Sequence, residues 1–222
     1  ETGFRGYPTA HLMTQGKTGV AKLGTGAPRN PKEVHVNLSA GIVSQWDETK
    51  LKSILAWIFG HKGHVTRADI ALDDREMTVP IETVRLAVEA GQVVSRSKQF
   101  KLLQSSNHRD GARTGDTLYF GSRASQTMLR VYDKRLELQR QGRADAGSYG
   151  IRWELELKQD RAQACAKALL TLEAEDWREF LVGVLRSYVD FRETTRDAEA
   201  YEKYRAPLLA WWETLTEGFR KC

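Results

Sequence analysis

Cysteine is nearly absent: Cys165 lies in the small-residue run AQACAKALL and Cys222 is the last residue. Two such positions make neither a disulfide framework nor a thiolate metal site. Long apolar runs are missing too, none nearing the ~18 residues of a membrane span, and nothing at the start resembles a signal peptide. A cytoplasmic protein with no membrane partner is expected. Histidine is sparse: only His61 and His64 are closely spaced, in a Gly-containing turn that reads as solvent-exposed. Nucleotide-binding loops, internal repeats, low-complexity tracts and polybasic runs do not occur. The chain begins at Glu1 without a Met and stops on FRKC, so it reads as a fragment whose flanking domains lie outside it.

What is present is ordinary in amount and unusual in pattern. The 222 residues carry 34 Lys and Arg against 29 Asp and Glu, a formal charge of +5. That balance permits a polyanionic partner without requiring one. Apolar residues are 41% of the chain, enough for a core. The expected organisation is a domain over 1–160 and a helical part over 161–222, packed on it or extending it.

Strands are expected at Tyr7–Met13, Val20–Leu23 and Val34–Leu38, forming a sheet edge. An amphipathic helix follows at Asp47–Phe59, with Leu51, Ile54, Leu55 and Ile58 inward. HVTRADIALDD, between helices, reads as a central strand; Pro80–Ala90 is a helix with Pro at its first turn. Next come a strand near Gln99–Gln104, the loop SSNHRDGARTGD, and a hairpin of Thr117–Arg123 with Met128–Lys134. IRWELELK is a further strand, and from Asp160 onward the periodicity is helical, with Asp160 and Asp176 as N-caps. Strands interleaved with helices predict an α+β fold: an antiparallel sheet with helices on one face and the other left as an open charged floor.

Three of these strands share one design. Side chains alternate between faces, so each has an apolar side and a side of mixed charge. The charged sides hold Arg67, Asp69 and Asp73; Arg130, Tyr132 and Lys134; and Arg152, Glu154, Glu156 and Lys158. A phenol between two cations suits attack on a phosphodiester. Free tyrosine has a pKa near ~10 and needs activation, which Arg130 and Lys134 are expected to supply by favouring the phenolate and holding the phosphate. Asp69 and Glu154, with Asp73 and Glu156 in reserve, offer hard oxygen ligands for Mg²⁺ or Mn²⁺. Singly, a strand tyrosine usually packs, and alternating acids and bases usually make cross-strand ion pairs. Recurrence of one design in three separated strands favours an active site.

TRADIALDD, LYFGSRASQTMLRVYDKRLE and RWELELK resemble, in that order, the three signatures of the Rep-trans family. These are rolling-circle replication initiators of small plasmids and filamentous phages, together with relaxases of some integrative conjugative elements. The resemblance runs from about Tyr7 to Lys158 and is most specific in the YFGSR…R-x-Y-D-K…E block. It implies an endonuclease and strand transferase that nicks one strand at an origin, with Tyr132 bonded to the 5′ phosphate and a 3′ hydroxyl left free. It implies divalent-metal ligation by Asp69 and by Glu154 or Glu156. It also implies a ferredoxin-like sheet akin to the wider HUH endonucleases. Their His-hydrophobic-His motif is absent, so a carboxylate-dominated metal site and a strand-borne tyrosine are expected.

Arg67, Arg123, Arg152 and Lys158 would bind phosphates and position the strand without reading sequence. The Ser105–Thr117 loop and the C-terminal helices would reach hairpin or duplex origin DNA. A host helicase partner follows from the resemblance, and a homodimer is compatible with it. The rivals are a relaxase of a conjugative or mobilisable element with the same chemistry, a non-catalytic nucleic-acid-binding domain, and a metal nuclease using water.

Overall fold

A computed structural model describes residues 2–15, 18–109 and 113–221. The chain divides into two compact units, Glu1–Lys62 and Gly63–Cys222.

The first unit holds β1 (Thr2–Phe4), β2 (Tyr7–Gln15), β3 (Thr18–Thr25) and β4 (His35–Leu38), an antiparallel sheet in the order β1-β2-β3-β4. The strands expected as a sheet edge therefore form a sheet of their own. Helix α1 (Ala40–Val43) follows, then α2 (Glu48–Gly60), where the Asp47 carboxylate accepts from the Lys50 amide at 2.7 Å. The stripe expected inward on α2 is at most half-buried: no residue of this helix is buried. Val34, also expected on an apolar face, is 54% exposed. So short a segment has little interior to offer.

The second unit runs β5 (Arg67–Asp74), α3 (Ile81–Glu89), β6 (Val93–Ser95), β7 (Phe100–Ser106), β8 (Arg113–Phe120), β9 (Thr127–Asp133), α4 (Lys134–Arg140), β10 (Ile151–Lys158), α5 (Gln159–Thr171), α6 (Trp177–Tyr188), β11 (Val189–Phe191), α7 (Ala200–Arg205) and α8 (Ala210–Lys221). Five strands make one antiparallel sheet in the order β5-β10-β9-β8-β7, and β6 pairs with β11 apart from it. Period-2 alternation sends Leu118 and Phe120, Leu129 and Val131, and Ile151, Trp153, Leu155 and Leu157 to one side. There they meet Val84 of α3, Cys165 of α5, Leu185 of α6 and Trp212 of α8 in the core. Each such large apolar side chain contributes roughly 1.5–3 kcal/mol. Buried Asp190 belongs to this layer, accepting from Arg192 at 2.6 Å and from the Trp212 indole at 2.5 Å, so its charge is paired. The helices beyond residue 160 thus complete the sheet's own core.

Four expectations change. β5 is an edge strand rather than a central one, which explains how it carries Arg67 and Asp69 half in water. β10 takes the interior place and is buried even on its acidic side. The supposed loop Ser105–Thr117 is largely strand, since β7 and β8 pair as far as Ser106 and Arg113; its Asp110–Ala112 lies outside the described residues. Lys134 is not on the strand: the Asp133 carboxylate accepts from the Leu136 amide at 2.7 Å and starts α4 there. Asp160 and Asp176 make no side-chain cap; the cap positions are Lys158 and Asp176, neither with a capping bond.

Candidate active site

Register builds the site. On the face opposite the apolar core, Arg152 stands between Asp73 and Tyr132, Glu154 beside Arg130, Glu156 beside Asp69 and Lys158 beside Arg67. β8 adds Thr117 next to Tyr132 and Tyr119 next to Arg130. Seven of the predicted residues therefore share one surface on three adjacent strands, together with Arg67 and Lys158 at its end. Lys134 joins from the first turn of α4, its ammonium 5.8 Å from the Tyr132 ring centre and 2.6 Å from Glu137. Arg123 is exposed in the β8–β9 turn, where its carbonyl accepts from the Lys158 ammonium at 2.5 Å.

At the centre the Tyr132 hydroxyl donates to Glu154 Oε2 at 2.8 Å, and Arg130 donates to the other oxygen of the same carboxylate. The phenol is held well above its ordinary range, first by burial and then by the charge and hydrogen bond of Glu154. This reverses the expectation that Arg130 and Lys134 favour the phenolate: each of those cations is engaged by a carboxylate. In the free protein Tyr132 is therefore a protonated phenol whose hydrogen points at a carboxylate oxygen. The Arg130 Nε is buried without a partner among the described residues.

The remaining acids pair with the expected DNA-binding cations. Arg67 donates to Asp69 (2.8 and 2.9 Å), and its Nη2 also forms an ion pair with Glu156 at 2.6 Å. Lys158 reaches the other Glu156 oxygen at 2.8 Å. Burial works against the Glu156 charge, but Lys158 and Arg67 outweigh it and hold the carboxyl below its usual range. Arg152 binds Asp73 through two 2.7 Å bonds and lies over Tyr149, 5.4 Å from its ring centre.

Asp69, Glu154 and Glu156 do not converge as one metal-binding group, and no cluster of three or more His, Cys, Asp or Glu side chains does so among the described residues. Asp69 and Glu156 do converge on a single positive point, Arg67 Nη2. Two carboxylates meeting a cation there fit a hard divalent ion, which commonly takes one or two carboxylates and completes its shell with water and substrate phosphate. Tyr119 and Glu137 were missed. Alternation in LYFGSR already puts Tyr119 on the polar face, whereas the contact of Glu137 depends on α4 starting at residue 134.

The sequence profile of the replication initiation factor family, Rep_trans, matches residues 63–221, which is most of the chain. The chain belongs to the replication initiation factor family. Among individual proteins it is similar to the putative DNA relaxase NicK of Bacillus subtilis (strain 168), 31% identical over 131 residues. That alignment covers 58% of this chain and 37% of NicK, so the chain spans just over a third of that relative. The fold is similar to that of a rolling circle replication initiator protein from Geobacillus stearothermophilus, with a TM-score of 0.75 at 20% identity, over 100% of this chain and 81% of that one. No helix among the described residues is long and apolar enough to cross a membrane.

Proposed function

We propose that this chain initiates rolling-circle DNA replication by nicking and rejoining single-stranded origin DNA through a 5′-phosphotyrosyl bond at Tyr132. The observation that carries the reading is the Tyr132–Glu154 hydrogen bond at 2.8 Å on the polar face of the sheet. It provides an oxygen nucleophile and a group to receive its proton within one contact. As the phenol oxygen bonds to phosphorus, its proton passes to Glu154, the P–O3′ bond breaks, and the departing 3′ oxygen takes a proton from water. Loss of the phenolic proton would then free Arg130 to turn from Glu154 to the phosphate oxygens, joined by Lys134. Rejoining runs the same steps backwards, and exchange of one phosphodiester for another needs no nucleotide cofactor.

Asp69 and Glu156 would hold Mg²⁺ or Mn²⁺ in place of the Arg67 contact, where the ion would supply charge for the scissile phosphate. Arg67, freed by that exchange, joins Arg123, Arg152 and Lys158 in positioning the strand. The nicking domain is then the unit that begins at Gly63, with Glu1–Lys62 as a basic accessory carrying 8 Lys and Arg against 4 Asp and Glu. A relaxase reading shares every chemical step and is favoured by the likeness to NicK. Origin DNA is the partner in either case, and a helicase and a second copy remain proposals from the family. Incubation with a single-stranded origin oligonucleotide and Mg²⁺ tests the reading. An adduct that survives denaturation and is lost in Tyr132→Phe supports it, and cleavage without an adduct refutes it in favour of a water-using nuclease.

A further inference from the structure

Behind the sheet, on the side away from Tyr132, lies a pocket of about 730 Å³. Its floor is apolar, made by Leu155 and Leu157 of β10 with Phe180 and Val184 of α6. Its mouth carries Arg96, Lys98 and Arg161, all exposed and none paired with an acid among the described residues. On the polar face Arg67, Arg130, Lys134, Arg152 and Lys158 are each held by a carboxylate, whereas these three leave unneutralised charge beside a cavity. The size falls within the few hundred to ~1,000 Å³ range of small-molecule sites.

The wall is fixed by close fits. The Tyr188 hydroxyl makes a bifurcated hydrogen bond to the carbonyls of Phe120 and Thr127 (3.1 and 3.0 Å), locking both ends of the β8–β9 turn. Gly121, with φ of +93°, permits that approach, since a Cβ there would lie 2.5 Å from the Tyr188 oxygen. The Ser122 and Ser125 hydroxyls, 3.0 Å apart, line the same turn. Cys165 also lines the pocket, but burial pushes its thiol up to about 11, so it offers no nucleophile. The arrangement suits binding rather than reaction: an aromatic and aliphatic slot, hydroxyls at the rim, and positive charge outside.

We propose that this pocket binds a nucleotide, with its base against Phe180 and its phosphate at Arg96, Lys98 and Arg161. The nucleotide has two sources, one base of a bound DNA strand or a free mononucleotide. A strand is within reach of the mouth, because Lys158 on the open face is tied to the same turn through the carbonyls of Arg123 and Gln126. That first source rests on the DNA reading above; the second does not.

The test is binding to the whole chain without cleavage, using deoxynucleoside monophosphates, inorganic phosphate and a mixed-sequence single-stranded oligonucleotide. Two variants probe the site: Ala164→Trp, which fills the pocket from an exposed position on α5, and the triple Arg96→Ala, Lys98→Ala, Arg161→Ala. Each variant's thermal midpoint is checked against the parent. Expected is a loss of about tenfold or more in affinity for at least one nucleotide ligand in both variants, with phosphate alone binding far more weakly. An oligonucleotide carrying 4-thiothymidine that crosslinks to the Phe180–Tyr188 segment assigns the site to the strand. Mononucleotide binding without that crosslink assigns it to the free ligand. Unchanged affinity for every nucleotide ligand in both folded variants overturns the proposal, as does phosphate binding as tightly as a mononucleotide. Because no step requires nicking, a missing Tyr132 adduct leaves this result readable.

Discussion

Replacing Glu154 by Gln separates its proposed role as proton acceptor from its role in the fold. Glu154 is 9% exposed and is gripped by Tyr132 and Arg130. A charged hydrogen bond contributes about 1.5–3 kcal/mol. The Arg130 side chain is 32% exposed, so water compensates part of its stranded charge, and a loss of about 2 kcal/mol is expected. For a unit of this length that lowers the thermal midpoint by roughly 4–8 °C, leaving the protein folded at assay temperature. The chemical effect is larger. A neutral amide accepts a hydrogen bond but not a proton, and the forfeited general-base contribution is about 10²–10⁴ in rate. Burial, the first cause of the raised phenol, persists in the variant, so attack awaits hydroxide and the deficit narrows as pH rises. Single-turnover adduct formation on a labelled oligonucleotide, at saturating Mg²⁺, reads both effects. Adduct formation within about threefold of the parent from neutral to alkaline pH would refute the assignment. A loss restored by raising Mg²⁺ above the concentration that saturates the parent would instead make Glu154 a metal ligand.

Asp69→Ala should abolish metal-dependent cleavage while leaving oligonucleotide binding largely intact; retained metal-dependent nicking, measured on the same oligonucleotide, contradicts a ligand role. Arg152→Ala leaves Asp73 unpaired between β5 and β10, both side chains being 16% exposed, and should cost about 3 kcal/mol in urea unfolding. A cost within ~0.5 kcal/mol would show that this pair joins nothing. Glu156 is held below its ordinary value, so its ion pairs with Lys158 and Arg67 stabilise fully above about pH 4.5 and are lost as pH falls through the lowered value. Glu156→Gln should flatten the acid limb of midpoint against pH, and an unchanged limb speaks against those pairs.

Local alternation made the polar face legible, because a period of two assigns a face to each residue wherever the strand falls in the sheet. Tyr132, Arg130, Glu154 and Glu156 were placed on this basis alone. Strand order was not legible: β5 reads like a central strand, and only its pairing with β10 reveals an edge. Lys134 was misplaced because Asp133 ends the strand as a helix cap, a choice made by one side-chain contact rather than by hydropathy. β6 and β11 are three residues each and too short to show a pattern. The phenol's protonation was misjudged because charge was counted by proximity. Arg130 does flank Tyr132, but its field is met by Glu154, and which of two acids it meets is decided by register across strands.

The central claim is that the Tyr132 oxygen becomes bonded to DNA. Proteolysis of the denatured reaction mixture followed by mass spectrometry tests it most directly. The account predicts a 5′-phosphorylated nucleotide on the peptide that contains Tyr132, dependent on Mg²⁺ or Mn²⁺. Cut DNA with that peptide unmodified, or with the nucleotide on another residue, would contradict it.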